Sequence, residues 1–305
     1  MPATTTSASS SNRWLASKSP AAAGLLLLGL LFCAAVLAQG DAQRGLYLSK
    51  AAGCIGCHTQ QTKDPKAAVP FAGGRALKTP FGTFYGPNIT PHPSAGLGRW
   101  SEADFMRAVR EGLRPDGAHY FPAFPYPSFT RITDADLRDL WAYLRTLPPS
   151  PRPSREHDLR FPFGWRFLVT GWKWLFFSPG AFVPDPKQSP VLQRGAYLVN
   201  ALGHCGECHT ARNFLGGPKR DRALAGAAKG PTGDRIPNLT PAKLKKWSDG
   251  ELKTFLQTGL TSDGDVVAET MGEVIRNTTA ELAPGDLAAM IAYLRSLPSI
   301  ADEPD

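Results

Sequence analysis

Sulfur is scarce in this chain of 305 residues, which has five cysteines and four methionines. Acids are the scarcer charge, 26 Asp and Glu against 34 Lys and Arg, for a formal charge of +8. Past residue 38 there is no apolar run of membrane-spanning length. Taking away Arg13 and Lys18 with an N-terminal leader lowers +8 to +6, an excess too small to mark a nucleic-acid binder. At most it offers a positive face to an acidic protein. Pro and Gly, by contrast, are plentiful, at 28 and 30. They favour short helices joined by irregular loops over a large sheet or a long bundle.

The N-terminus reads as an export signal over residues 1–38. A polar stretch with Arg13 and Lys18 precedes an apolar run from Ala21 to Ala38 that ends in Val36-Leu37-Ala38. That order is the charged region, apolar region and small-residue cleavage site of a secretory leader. The rival is an uncleaved anchor helix, because the run borders on spanning length. Cleavage after Ala38 discards Cys33 and leaves Cys54, Cys57, Cys205 and Cys208.

Two segments repeat. Arg44-Gly-Leu-Tyr47-Leu48 leads to Cys54-Ile-Gly-Cys57-His58-Thr59, and Arg194-Gly-Ala-Tyr197-Leu198 leads to Cys205-Gly-Glu-Cys208-His209-Thr210. Pro87-Asn88-Ile89-Thr90 is matched by Pro237-Asn238-Leu239-Thr240, and Trp100-Ser101 by Trp247-Ser248. Both copies close on Ala-Tyr-Leu-Arg followed by Leu147-Pro148 or Leu297-Pro298. Apolar residues at helical spacing (Leu137, Leu140, Trp141, Leu144; Leu287, Met290, Ile291, Leu294) predict closing helices that the prolines stop. The expected fold is all-α, two tandem units of a few short helices. Their bounds are 39–148 and 191–305, joined by a Pro-rich and aromatic linker over 149–190.

Cys-x-x-Cys-His is the attachment signature of c-type haem. The two thiols add across the haem vinyl groups, which sets the next His against the iron. A zinc site needs further ligands that the remaining cysteines cannot supply, and a redox dithiol leaves the repeated His unexplained. The expectation is therefore two covalently bound haem c groups, on Cys54 and Cys57 with His58, and on Cys205 and Cys208 with His209. A haem-ligating histidine usually donates its free ring N–H to a backbone carbonyl. The Pro-Asn segments at Pro87 and Pro237 resemble the one that supplies this carbonyl in mitochondrial-type cytochromes c, which implies that role here, the alternative being a mere loop turn.

The sixth ligand differs between the copies. Met271 is the second copy's candidate, since Met opposite His suits an electron carrier. Aligning Asp116-Gly117 on Asp263-Gly264 puts Phe124 opposite Met271, and Phe does not bind iron. Candidates for the first iron are His119, an open position, and Met106, whose helical setting favours core packing. His92 and His157 are expected in solvent-exposed loops, and His204 as a packing or partner-facing residue. The aromatic run 161–177 is read first as an inter-domain element. The alternative is a contact with a membrane surface or a partner subunit, with Arg166 and Lys173 at its polar edge.

Both copies resemble the cytochrome c subunits of bacterial membrane-bound alcohol, aldehyde and gluconate dehydrogenases, from about Arg44 to Pro298. The likeness rests on Cys-x-x-Cys-His, Pro-Asn-[Ile/Leu]-Thr, the Phe121-to-Phe129 loop and Tyr-Leu-Arg-x-Leu-Pro. It implies a periplasmic respiratory-chain carrier taking electrons from a dehydrogenase toward quinone or a terminal oxidase. Those subunits typically carry three haem domains and a Met where this chain has Phe124. The alternative is a di-haem redox enzyme, of the peroxidase or thiosulfate-oxidising type, acting at the first haem. The apolar surroundings of Phe124 favour the carrier over a catalyst.

Overall fold

Asp41 starts the first helix of the computed structural model, because its carboxylate accepts the backbone N–H of Gln43 and of Arg44. The structure describes residues 40–230, 233–267 and 269–302. The leader 1–38 and Cys33 lie outside them. Helix α1 is Ala42–Ala51, and α2 is Cys54–His58. Strands β1 (Ala76–Thr79) and β2 (Gly82–Tyr85) follow as an antiparallel hairpin. Helix α3, Glu102–Glu111, has a reciprocal Ser101–Asp104 capping box and stops at left-handed Gly112. Helix α4 is Tyr126–Phe129, and α5, Asp134–Thr146, is capped by Thr133. Strand β3 (Asp158–Leu159) and α6 (Phe167–Phe176) lie in the segment after the first copy.

The second copy keeps an opening helix, an attachment turn and a closing helix, and among the described residues it has no hairpin. Helix α7, Pro190–Tyr197, runs into a π turn over Leu198–Leu202, and α8 is Gly206–His209. Then come α9 (Pro241–Leu244), α10 (Asp249–Thr258, with a Ser248–Glu251 capping box), α11 (Glu269–Asn277) and α12 (Pro284–Ser296). The expectation of helices alone needs one correction, the three-stranded sheet β1-β2-β3. Phe84 on β2 is buried with Phe121 and Val169, so the hairpin has an apolar face to cover.

The repeat is visible in the packing. Helix α1 lies on α5, and α7 lies on α12. A Cβ on Gly45 would sit 1.9 Å from the Asp139 carbonyl oxygen, and one on Gly195 would sit 2.0 Å from that of Ala289. Only glycine lets these backbones meet. Of the residues given helical spacing in the sequence, Leu137, Leu140, Leu144, Leu287, Met290, Ile291 and Leu294 are buried, and Trp141 is half-buried against them.

The copies also reach across to each other in a reciprocal pattern. Tyr47 Oη donates to Asp286 Oδ2 at 2.5 Å and accepts the Ala283 N–H at 3.2 Å. In the mirrored contact Tyr197 Oη donates to Asp136 and accepts the Thr133 N–H at 3.1 Å. Each carboxylate also holds the arginine of its own copy, Arg194 on Asp286 and Arg44 on Asp136. Burial alone would raise the Asp286 pKa. The hydrogen bonds from Arg194 and Tyr47 outweigh that and hold it below the ordinary 3.8.

A lowered carboxylate pKa gives stability that is complete above the ordinary value and is lost as pH falls through the lowered one. Asp286→Asn is therefore expected to lower stability at neutral pH by about 1–2 kcal/mol. It should also flatten the loss of stability below pH 3.8 in denaturant titrations run across pH. An unchanged acid limb would mean that this carboxylate does not link the copies.

The Pro-rich segment after Leu147, expected as a polar spacer, is docked instead. Asn88 Nδ2 donates to the Ser150 and Arg152 carbonyls at 2.9 and 2.8 Å, and β3 extends the hairpin sheet. The aromatic run splits its surface. Val169 is buried against Phe84 and Phe121, and Trp172 Nε1 donates to the Leu215 carbonyl at 3.1 Å, so α6 touches both copies. Phe161, Phe167 and Trp174 remain 79%, 67% and 85% exposed, against the reading that the run buries its rings. Among the described residues no helix is long and apolar enough to cross a membrane.

Candidate functional site

Helix α2 is a single turn that places Cys54, Cys57 and His58 together at the edge of a cavity of about 910 Å³. The other walls are apolar: Ile89, Leu97, Trp100, Phe105, Phe121, Phe124 and Phe129 are among them. The His58 ring has a fixed tautomer. Its Nδ1 lies 2.8 Å from the Pro87 carbonyl, which can only accept, so Nδ1 donates and Nε2 keeps its lone pair. Burial holds the ring's pKa below the ordinary value although the carbonyl pulls the other way, and the imidazole stays neutral. A neutral imidazole with a bare Nε2 is what ligation to iron requires.

The second copy repeats this frame. His209, at the end of α8, is buried, and its Nδ1 lies 2.7 Å from the Pro237 carbonyl. Burial lowers its pKa as well. Burial pushes the Cys54 and Cys205 thiols up to about 12 and the Cys57 thiol to about 11. An exchange-active dithiol needs the opposite shift. Among the described residues no three His, Cys, Asp or Glu side chains gather as a metal cluster. Half-buried thiol pairs with raised pKa values beside an oriented histidine fit thioether attachment of a haem better than either rival.

The cavity also has a charged edge that the sequence did not disclose. Arg114, Arg155, His157 and Arg166 all line it. His157 accepts the Tyr85 N–H on Nδ1 at 3.2 Å, so its proton sits on Nε2. It is not the exposed loop residue expected, for its ring packs between Phe84 and Phe121. Burial, then the charges of Arg166 and Arg114, hold its pKa low. Arg166 is lowered by burial and then by Arg114. Asp116 and Glu156 line the same rim, and Asp116 pairs with Arg114 at 3.0 Å; Arg155 and Arg166 are the cations there that suit a ligand carrying carboxylates, as haem does. No motif marks the three arginines and His157: Arg114 follows α3, and the other three lie in the segment after α5.

Asn88 and Asn238 explain the rest of the Pro-Asn-x-Thr repeat. Asn88 Oδ1 accepts from Thr90 N and Oγ1 at 2.9 and 2.7 Å while its Nδ2 holds 150–152. Asn238 does the same for Thr240 and for Ile300. The proline orients the histidine, and the asparagine ties the chain leaving the closing helix to the same turn. Asn88→Ala strips these bonds from a buried site. We expect a loss of about 2–3 kcal/mol in chemical denaturation and faster proteolysis within 149–156. Unchanged proteolysis would contradict the tie.

The candidate sixth ligands separate. Phe124 lines the first cavity, at the place where the alignment sets a methionine in the other copy. His119 is not in that lining: its Nδ1 lies 3.1 Å from Lys173 Nζ on α6, and its carbonyl accepts from Arg166. Ligation by His119 would need the ring to leave Lys173. Met106 packs partly buried against the core. Met271 lies half-buried on α11, the helix that packs on α2 through Glu273 and Asn277. His204 lines the first cavity, which its place beside Cys205 did not suggest.

Comparison with known proteins agrees with this frame. The family model for cytochrome c matches residues 42–148. A diheme cytochrome c-type protein of Cereibacter sphaeroides is 44% identical over 261 residues, covering 86% of this chain and 87% of that protein. The cytochrome c subunit of an alcohol dehydrogenase (quinone) from Gluconacetobacter polyoxogenes is 38% identical over 272 residues, 85% of this chain. The cytochrome subunit of a fructose dehydrogenase from Gluconobacter japonicus is 40% identical over 264 residues. The chain spans about half of each of these two subunits, 56% and 53%.

Proposed function

The chain belongs to the cytochrome c family and transfers electrons through covalent haem c, and from that premise we propose a periplasmic carrier with two haems. Under this reading each copy is a domain, 39–148 and 191–305, and residues 1–38 are an export leader. Cys54, Cys57 and His58 hold the first haem, and Cys205, Cys208 and His209 hold the second. Haem supplies a one-electron couple when bound. The protein's part is to attach it, fix each histidine through Pro87 or Pro237, exclude water with apolar walls and meet carboxylates with Arg155, His157 and Arg166. The observation that carries the reading is the matched bond from each histidine to a prolyl carbonyl, at 2.8 and 2.7 Å.

Met271 is proposed as the second haem's sixth ligand. For the first, no methionine lines the cavity among the described residues, and His119 is held outside it beside Lys173. The donor of electrons is proposed to be a dehydrogenase subunit, as the names of the relatives suggest, and the acceptor quinone or an oxidase. The exposed rings of 161–177 are the proposed docking face, toward that subunit or the membrane surface.

One observation favours a second reading. Phe124 at the methionine position leaves the first iron a place to bind a small molecule, as a peroxidase-type enzyme would use. The haem-loaded protein, reduced and mixed with hydrogen peroxide, separates the two. The carrier gives slow oxidation that stops when its own electrons are spent. Continuous peroxide consumption with an added donor would establish the enzyme.

A further inference from the structure

The residue just before the first attachment cysteine is left-handed in both copies, Gly53 at φ 62° and His204 at φ 38°. Glycine adopts that conformation freely, and a histidine there is strained. The position also points from each copy into the other. A Cβ on Gly53 would lie 2.9 Å from Thr278 Oγ1, just past α11, and the His204 ring packs edge-on against Phe129 of α4, with centroids 5.1 Å apart. The ring is held there, since its Nδ1 lies 2.9 Å from the Leu202 carbonyl. It lines the same cavity as His58 and Phe124. Beside it, Ser128 Oγ donates to Glu207 Oε1 at 2.6 Å and clamps α4 to the second attachment turn.

We propose that His204 is the bridge for electron exchange between the two haem sites. The inference rests on the two-haem reading above. His204 presents its ring to whatever fills the first cavity, and its backbone continues directly into Cys205, the thioether of the second. One electron leaves the reduced iron at one site and reduces the ferric iron at the other, with no bond made or broken and no proton moved. Gly53 offers no ring, so the first copy has no equivalent contact and the link is made from one side. That asymmetry accounts for a strained histidine where the repeat uses glycine.

The test is pulse radiolysis of the haem-loaded protein, following exchange between the two haem absorption bands. His204→Leu fills the space without the imidazole, and His204→Gly copies Gly53 and relieves the backbone. Both are expected to keep two haems and both potentials while exchange slows about tenfold. His204→Gly should also melt no lower than the wild type, a combination that a purely structural role would not give. Unchanged exchange in both variants would overturn the bridge alone. A change of spin state or potential at the first haem would overturn it in favour of axial ligation. One haem per wild-type chain would overturn the two-haem reading and the bridge with it.

Discussion

Replacing Cys54 and Cys57 by alanine is expected to halve the covalent haem carried by the chain, and replacing Cys205 and Cys208 to do the same. The reason is arithmetic as well as geometric. Outside the leader the sequence has only these four cysteines, and the attachment turns α2 and α8 hold them in pairs beside an oriented histidine. A bare cavity of about 910 Å³ with apolar walls is also poor packing, so the first pair should cost stability as well as cofactor. Denaturing mass spectrometry reads the result directly: two haem increments in the wild type, one in each double variant. An unchanged mass in either variant would remove that pair from the attachment chemistry.

Phe124→Met is expected to change the potential and the ligand binding of the first haem without touching the residues that attach it. Phe124 and His58 line the same cavity, and the repeat sets Phe124 opposite Met271. A thioether there gives the iron the His/Met pair that raises the potential of electron-transfer cytochromes. The potential of that haem should rise by on the order of 100 mV, and cyanide binding to it should be lost. The second haem should not respond. Absence of any shift would mean that residue 124 does not face the iron, and the assignment of the distal wall would fail with it.

Much of this was legible because attachment chemistry is local. Cys-x-x-Cys-His fits within one helical turn, and the spacing of Leu137, Leu140 and Leu144 fits one helix face, so short-range pattern was enough. The pairing of His58 with Pro87 was also within reach, because its Pro-Asn segment resembles the one that supplies this carbonyl in mitochondrial-type cytochromes c and appears twice. What escaped were residues united only by the fold. His157 and Arg166 reach the cavity from the segment after the first copy, and nothing near them in the chain marks a rim for carboxylates. His119 sits in the right loop, yet Lys173, 54 positions away, takes its ring. The hairpin β1-β2 was missed because Leu77 and Phe84 alternate over too few residues to stand out beside the helices. For His204 the sequence shows only its place beside Cys205, which suits a packing or partner-facing residue, while its left-handed backbone and its place in the first cavity are properties of the fold.

The central claim is that both copies of the repeat carry a working one-electron centre. A potentiometric titration of the intact protein, followed in the visible haem bands, tests it most directly. The account predicts two one-electron waves that together involve all the haem, the first moving in Phe124→Met and the second staying in place. A single wave, or a fraction of haem that no potential reduces, would contradict it.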